Sequence, residues 1–361
     1  MCKSIKTKFE DKLSFEKLLA AHERARKGKT NKNEVIKFEM NLEANIINLE
    51  KKLRDGTYRC GTYKSFTIYE PKERIIKSLP YIDRVVHQWY VEEFIKPFYN
   101  SRLIRHTYAC IENRGTHACV KQMQQFMREA KRNYGNEYYI LKMDIRKFFY
   151  NIKPSILYSI LDKRITNVRL KEFTKSIIYS NIEIDDIGIP IGNYTSQYFA
   201  NIYMNELDQF VKNNLNVKYY IRYMDDFILL LRSKEECRDM LKKITIFLEI
   251  KLELELNKKT KYYPNRMGTD FCGYVIYDTH IRLRKNSKIK IKRNIRKWNK
   301  LYHKTKLDFS EILRMLASLH SWEGHAKHAD TFILRKQILE KCDFIYDPLL
   351  DYSIDSQGQV L

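Results

Sequence analysis

The 361-residue sequence predicts an α+β fold, because strand-like apolar runs that pair locally occur together with amphipathic helical stretches. The clearest strand pair consists of residues 219–222 and 227–231, which flank a short polar segment. A third strand-like run covers residues 138–143. Apolar residues recur three and four positions apart elsewhere, which is typical of helices packed on one face.

Two adjacent carboxylates, Asp225 and Asp226, lie between the paired runs, and we interpret them as the tip of a β-hairpin. Like charges held side by side between buried flanks are costly unless a cation joins them. Mg²⁺ is the natural cation for bare carboxylates, and it also accepts phosphate oxygens. A second pair, Asp185-Asp186, precedes a turn-rich stretch without a following apolar strand and is predicted to be ordinary loop.

A third carboxylate, Asp144, ends the run 138–143. Two-metal nucleotidyl transfer needs carboxylates from separate strands to hold two ions about 4 Å apart. We therefore predict that Asp144 and Asp225 bridge the ions and that Asp226 is an auxiliary ligand.

The composition predicts a polyanionic partner. The net charge is +23 and the isoelectric point is near 9.5, which favours nucleic acid first and an anionic membrane surface second. We expect no transmembrane helix, since no run of 18 apolar residues occurs, and no signal peptide at the amino terminus. Seven scattered cysteines without a C-x-x-C pair indicate reduced thiols, no zinc site and a cytoplasmic location.

The amino-terminal third is predicted to hold a basic helical hairpin, about residues 10–55, whose cations fit a solvated face and nucleic-acid contact equally well. Residues 66–76 predict two strands around a turn at Pro71, and Lys72 and Arg74 then project from one face. Cations on such a hairpin suit a triphosphate. A long amphipathic helix is expected within residues 79–98.

A Gly-rich loop, residues 187–197, opens a predicted helix whose apolar face includes Phe199, Tyr203 and Leu207. Gly192 permits close approach of the backbone to a ligand, and a loop at a helix N-terminus can meet a base pair or a phosphate.

The carboxyl-terminal region contains a strongly basic helix. Residues 282–306 include twelve Lys or Arg and no Asp or Glu, and an apolar stripe predicts that one face packs. A solvated face normally mixes signs, so we predict that this helix runs along a duplex backbone.

These motifs resemble a bacterial reverse transcriptase over about residues 10–340, and they occur in the order of that family. The matching positions, from fingers to primer grip, are Lys72 and Arg74, Asp144 with Phe149, Gly192 to Gln197, Tyr223 to Asp226, Lys259, and Phe271 to Tyr274.

The resemblance implies a right-hand polymerase fold with fingers, a palm in which helices cover one face of an antiparallel sheet, and a helical thumb. The expected domains are an N-terminal extension with fingers (1–135), a palm (136–278, with about 151–190 belonging to the fingers), and a thumb with a short tail (279–361). No RNase H, endonuclease or maturase domain is expected in this sequence.

The resemblance also implies the site residues. The catalytic acids are Asp144, Asp225 and Asp226, which together with Ile145 hold two Mg²⁺ ions, with Mn²⁺ able to substitute. Phe149 corresponds to the steric gate that selects deoxynucleoside triphosphates. The implied nucleotide-binding residues are Lys72, Arg74, Phe149, Ile191, Gly192, Gln197 and Lys259. Those implied to bind template RNA and the RNA/cDNA duplex are Tyr223, Met224, Gly273, Tyr274, Lys292, Arg296 and Lys300.

Within the family, the sequence is most similar to reverse transcriptases of diversity-generating retroelements. The pocket loop has Ile191-Gly192, three residues, then Ser196-Gln197, where most reverse transcriptases carry Gln-Gly and Ser-Pro. This likeness implies copying with errors opposite template adenines and a small basic accessory protein as partner. Cys272 departs from that group, in which Leu is commoner.

Three alternatives remain open. A phage-defence or retron-type reverse transcriptase would catalyse the same reaction in a different biological role. A group II intron protein would normally carry Ser-Pro in the pocket loop and a maturase extension. A non-enzymatic RNA-binding protein would explain the charge and leave the three ordered acids unexplained.

Overall fold

A computed structural model describes residues 4–69, 73–180, 186–305 and 307–346. Its helices are α1 (Phe15–Arg26), α2 (Asn33–Glu39), α3 (Leu42–Arg54), α4 (Tyr81–Tyr90), α5 (Lys96–Tyr99), α6 (Thr116–Tyr134), α7 (Phe148–Asn151), α8 (Pro154–Asp162), α9 (Val168–Ile178), α10 (Tyr194–Gln209), α11 (Lys234–Phe247), α12 (Lys285–Lys304), α13 (Phe309–Ala326) and α14 (Phe332–Leu339). Its strands are β1 (Lys64–Ile68), β2 (Arg74–Ser78), β3 (Tyr139–Asp144), β4 (Tyr219–Tyr223), β5 (Asp226–Leu231), β6 (Lys261–Pro264), β7 (Thr269–Phe271), β8 (Tyr274–Ile276) and β9 (Ile281–Leu283).

The first of two compact units comprises Met1–Gly115, Leu141–Leu229 and Lys234–Tyr262. Its amino-terminal segment was predicted to be a helical hairpin and contains three helices, α1 to α3. Apolar residues such as Leu18, Ile46 and Leu49 recur at helical spacing in this segment and are fully buried. Strands β1 and β2 form the predicted antiparallel hairpin, with Phe66 opposite Ile76. Pro71 and Lys72, at its turn, lie outside the described residues.

A four-stranded sheet, ordered β4-β5-β3-β6, carries the acidic motifs. Residues 227–231 of β5 are all buried, which explains why this strand reads as a continuous apolar run. Helix α10 is buried along most of its length. The hairpin turn consists of Met224 and Asp225, and Met224 adopts a positive φ of 58°. Asp226 begins β5, so only one of the two acids lies at the tip that we predicted for both.

The second unit comprises Thr116–Ile140, Leu230–Ser233 and Tyr263–Leu361. Strands β7, β8 and β9 make a three-stranded antiparallel sheet. Helices α12 to α14 share a core that includes Ile291, Ile295, Leu319 and Phe344. The predicted apolar stripe of α12 therefore packs inward, and its lysines and arginines remain on the outer faces.

Both units draw on separated stretches of chain, because the strands of a sheet bring distant segments together. The predicted functional subdomains, 1–135, 136–278 and 279–361, remain a prediction. Among the residues that the structure describes, no helix combines the length and the apolar character that a membrane span requires.

Candidate active site

Three carboxylates converge where β3 meets the β4–β5 hairpin. Asp144 is the last residue of β3, Asp225 lies in the hairpin turn, and Asp226 opens β5, which neighbours β3 in the sheet. The backbone N–H of Ile145 donates to the carbonyl of Asp225 at 3.3 Å. The sheet order therefore brings together acids that are about 80 positions apart in the sequence.

Asp226 is held by Lys142, whose Nζ lies 3.0 Å from its Oδ2. The pKa of Asp226 is raised to about 6, chiefly by burial and to a smaller extent by the negative charges of Asp144 and Asp225, while Lys142 opposes the shift. Among the residues that the structure describes, none forms a hydrogen bond with its other carboxylate oxygen, Oδ1, which is buried. Asp226 is therefore harder to ionise than an exposed carboxyl group.

Asp144 is fixed by Asn257 from the loop before β6. The backbone N–H of Asn257 donates to the carbonyl of Asp144 at 2.7 Å, and its Nδ2 donates to Oδ2 at 3.1 Å. Its own Oδ1 accepts from the N–H of Lys259 at 3.1 Å. The same turn therefore orients Asp144 and positions Lys259, whose side chain is exposed.

The donor chemistry of this site fits Mg²⁺. Carboxylate and carbonyl oxygens are its preferred ligands, and the buried Oδ1 of Asp226 has no hydrogen-bond partner among the described residues, so it is available to a cation. In the part of the chain that the structure describes, no three His, Cys, Asp or Glu side chains already form a metal-binding cluster. Asp144, Asp225, Asp226 and the carbonyl of Ile145 are the groups that would hold an ion.

A buried ionic network anchors the hairpin from behind. Arg222 and Asp208 are both fully buried and pair through Nε and Nη2, and the hydroxyl of Tyr220 donates to the same carboxylate at 2.7 Å. Nη1 of Arg222 also donates to the side-chain oxygen of Asn201 at 3.0 Å and to the carbonyl of Met224 at 2.9 Å. The turn that carries Asp225 is thus tied to helix α10.

Hydrogen bonds connect the predicted nucleotide-pocket segments within the first unit. The N–H of Lys77 in β2 donates to the carbonyl of Ile191 at 3.1 Å, and the N–H of Ile189 donates to the carbonyl of Phe149 at 2.9 Å. Phe149 is half-buried against Phe148. Arg74, at the start of β2, is exposed, and Lys72 lies outside the described residues.

Gly192 adopts a backbone conformation that L side chains rarely adopt. It has a φ of +121°, and a Cβ there would lie 3.1 Å from Cγ2 of Ile76. The backbone of the pocket loop therefore approaches β2 closely, and the predicted approach to a ligand stays a prediction. Ile191 is half-buried, and Gln197 is exposed in the first turn of α10.

The predicted primer and template residues occur in both units. Tyr223 and Met224 belong to the hairpin in the first unit. In the second unit, Gly273 has a φ of +93° in the β7–β8 turn, and Tyr274 is buried with its hydroxyl 2.8 Å from the carbonyl of His325. Lys292, Arg296 and Lys300 are exposed on α12 at four-residue spacing.

Sequence reasoning missed the residues that support the acids. Lys142 precedes Asp144 by two positions, so strand periodicity places both on one face, which was the available signal. Asn257, Arg222 and Asp208 had no comparable local signal, because their partners are distant in sequence.

Comparison with known proteins identifies the family of this site. A family model described as reverse transcriptase (RNA-dependent DNA polymerase) matches residues 69–277, more than half of the chain. The chain is 21% identical to the group II intron-encoded protein LtrA of Lactococcus lactis, over 71% of this chain and 52% of that protein. It is 19% identical to a COX1/OXI3 intron 2 protein of Saccharomyces cerevisiae, over 74% of this chain and 36% of that protein.

A retron provides a further relative. The retron Ec73 reverse transcriptase of Escherichia coli is 27% identical, over 63% of this chain and 69% of that protein. The chain thus spans about half or less of the length of the intron-encoded relatives and a larger share of the retron enzyme.

Proposed function

The chain belongs to the reverse transcriptase family, and from that premise we propose that it is an RNA-directed DNA polymerase that makes cDNA by two-metal nucleotidyl transfer. Family membership also confirms the predicted right-hand polymerase fold, an α+β fold with an antiparallel palm sheet. The observation that carries the proposal is the convergence of Asp144, Asp225 and Asp226 at one edge of that sheet.

The three acids have separate roles in this proposal. Asp144 and Asp225 would be the main ligands of the metal ions, the carbonyl of Ile145 would be a further ligand, and Asp226, which pairs with Lys142, would be an auxiliary ligand. Mg²⁺ held there would lower the pKa of the primer 3′-hydroxyl and neutralise the triphosphate. Asn257 orients Asp144, and the Arg222 network orients the turn that carries Asp225.

The surrounding residues define the substrates. Phe149 excludes a ribose 2′-hydroxyl and so selects deoxynucleoside triphosphates, while Ile191, Gly192 and Gln197 form the pocket loop. The cations Lys72, Arg74 and Lys259 serve the triphosphate. Template RNA and the RNA/cDNA duplex contact Tyr223, Met224, Gly273, Tyr274 and the basic face of α12 (Lys292, Arg296 and Lys300).

Primer extension on RNA tests the proposal. Loss of a metal ligand costs several kcal/mol of transition-state stabilisation, so Asp225→Asn should lower the rate by about two to four decades. Asp186→Asn is a matched control, because Asp186 belongs to the Asp pair that was predicted to be ordinary loop and accepts a hydrogen bond from the N–H of Ser155. Asp185, its neighbour in that pair, lies outside the described residues. Primer extension by Asp225→Asn at the wild-type rate would refute the assignment of Asp225 as a metal ligand. A similar fall in rate for Asp186→Asn would show that the effect is not specific to Asp225.

We further propose that the enzyme serves a diversity-generating retroelement. Ile191-Gly192 and Ser196-Gln197 in the pocket loop support this role, which would include errors opposite template adenines and a small basic accessory protein. The flanking DNA provides the test, since such an element contains a near-duplicate repeat pair that differs at adenines. Flanking DNA without such a pair would contradict this role and leave the polymerase activity untouched.

A retron-type or phage-defence reverse transcriptase is the second candidate. The 27% identity to the retron Ec73 enzyme favours it, and the chemistry of the site is the same. Sequencing RNA bound to the purified protein separates the candidates. A template-repeat transcript supports the first, and a structured RNA without a matching repeat elsewhere in the genome supports the second.

A further inference from the structure

We propose that Tyr63 is a positioning residue, whose hydroxyl holds the pocket loop against the base of the β1–β2 hairpin and so sets how tightly the enzyme binds the incoming nucleotide. Tyr63 is half-buried and directly precedes β1. The inference rests on the proposed polymerase function, in which the pocket loop binds the nucleotide. Every contact that carries it lies within the first unit.

A chain of hydrogen bonds joins the pocket loop to the end of α9. Nδ2 of Asn193 donates to the hydroxyl of Tyr63 at 3.0 Å, and this hydroxyl lies 3.0 Å from Oγ of Ser180. Ser180 in turn donates to the carbonyl of Ile177 at 2.8 Å. Because that carbonyl can only accept, the single hydroxyl proton of Ser180 is used there, and Tyr63 must donate to Ser180. Tyr63 therefore accepts from Asn193, and the direction of every bond in the chain is fixed.

The side chain of Asn193 is committed to Tyr63 rather than to its own helix. Asn193 is the N-cap residue of α10, where an Asn side chain usually accepts an N–H of the first turn, but within the described part of the chain it makes no such bond. The residue is only 6% exposed, so an amide group that lost its partner would be costly. The position of the pocket loop therefore depends on the hydroxyl of Tyr63.

The base of the hairpin contacts the pocket loop on both sides of Gly192. The N–H of Lys77 donates to the carbonyl of Ile191 at 3.1 Å, one residue before Gly192. Tyr63 accepts from Asn193, one residue after it. Since β1 follows Tyr63 and pairs with the end of β2 that contains Lys77, both contacts come from the same end of the hairpin. Without the hydroxyl of Tyr63, the loop would be held on one side only, and Ile191 could move relative to the nucleotide.

The segment that carries Tyr63 is itself anchored by Asp83. The hydroxyl of Tyr58 donates to Oδ1 of Asp83 at 2.6 Å, and the N–H of Gly61 donates to Oδ2 at 3.2 Å. A Cβ on Gly61 would lie 2.8 Å from that Oδ2, so glycine permits this close approach. Asp83 is 1% exposed and belongs to the first turn of α4. Tyr63 therefore extends from a fixed segment and can impose its position on the pocket loop.

Steady-state kinetics of nucleotide addition test the proposal. Tyr63→Phe keeps the ring and removes one hydrogen bond, so the KM for deoxynucleoside triphosphates should rise about fivefold while kcat stays within about twofold of wild type. A merely structural role would lower the amount of active protein, which reduces kcat and leaves KM unchanged. The matched control is Tyr158→Phe, which removes a half-buried hydroxyl 3.3 Å from Oδ1 of Asp162 on α8 and should change neither parameter.

A double variant tests whether Tyr63 acts through Asn193. Asn193→Ala removes the other end of the same hydrogen bond and should raise the KM by a similar factor. Because the two changes remove one interaction, the KM of Tyr63→Phe/Asn193→Ala should be no higher than that of the single variants. Increases in KM that multiply in the double variant would show that the two residues act independently and would overturn the proposal.

Nitrogen NMR of the Asn193 side-chain amide measures the hydrogen bond without catalysis. Its resonance should shift in Tyr63→Phe and stay in place in Tyr158→Phe. An unshifted resonance in Tyr63→Phe, or an unchanged KM, would overturn the proposal. A wild-type protein that fails to extend primed RNA would refute the polymerase proposal and this inference together, whereas wild-type extension with an unchanged KM for Tyr63→Phe would refute this inference alone.

Discussion

The guanidinium of Arg222 pairs with both carboxylate oxygens of Asp208, with Nε 2.8 Å from Oδ1 and Nη2 2.5 Å from Oδ2. Neither side chain is exposed to solvent, and the positive charge is retained because Asp208 raises the pKa of Arg222 against the effect of burial. Since Arg222 also bonds with the carbonyl of Met224, this pair fixes the turn that carries Asp225. A solvent-exposed Arg–Asp pair would contribute little to the stability of the fold.

Arg222→Met should therefore lower both stability and catalysis. It leaves Asp208 buried and unpaired, which costs about 3–5 kcal/mol of unfolding free energy. The double variant Arg222→Met/Asp208→Leu should recover most of that stability in denaturant titrations. In the double variant the turn that carries Asp225 still lacks its hydrogen bond to residue 222. The rate of primer extension should therefore stay about two decades below wild type, as expected when a reacting group is displaced by about 1 Å. A double variant that extends primers at the wild-type rate would show that the network serves stability alone.

Ile191 is predicted to set the error spectrum. Gln at this position in ordinary reverse transcriptases offers a hydrogen bond near the incoming nucleotide, and such a bond is worth about 1 kcal/mol, or several-fold in selectivity. Sequencing of cDNA from a template rich in all four bases should show excess errors opposite adenine for wild type and fewer for Ile191→Gln. Ile187→Gln, an exposed aliphatic position in the same segment, is the control. An unchanged spectrum for Ile191→Gln would mean that Ile191 only packs the pocket.

The outer face of α12 is predicted to contact duplex phosphates. Lys292, Arg296 and Lys300 share one helical face and are exposed, so each can displace a counterion. Replacing all three with Gln should flatten the plot of log affinity against log salt by up to about three units. The same replacement at exposed Lys51, Lys52 and Lys242 should leave the slope unchanged. Equal slopes in both variants would assign the α12 face to another partner.

His87 predicts an acid-sensitive stability. Its pKa is lowered to about 4 in the folded protein by burial, while the unfolded value is near 6.5. The folded state therefore resists protonation, so the stability is fully present above about pH 6.5 and is lost as the pH falls. Linkage gives a loss of about 2 kcal/mol between pH 8 and pH 5 from this residue. Denaturant titrations should show this loss of unfolding free energy for wild type and a smaller loss for His87→Gln. If the unfolding free energies of the two proteins depended on pH in the same way, the prediction for His87 would be wrong.

The sequence by itself determined the parts of this protein that depend on local patterns. Alternating and continuous apolar runs predicted β3 and the β4–β5 hairpin, and spacing of three and four residues predicted α1, α3 and α12. The order of Asp144, the pocket loop and Asp225-Asp226 identified the family before any geometry was known. Each of these features depends on residues that are close together in the sequence, so it can be recognised without knowledge of the fold.

Only the tertiary structure decided how the acids are supported and balanced. The pairing of β3 with β5 sets Lys142 against Asp226, and the burial of α10 brings Asp208 to Arg222. The fold also brings Asn257 to Asp144 and packs Gly192 against β2, and among the described residues it leaves Nε2 of His87 without a hydrogen-bond partner. Each of these relationships joins residues that are distant in sequence, and their energies depend on burial, which a local pattern does not specify.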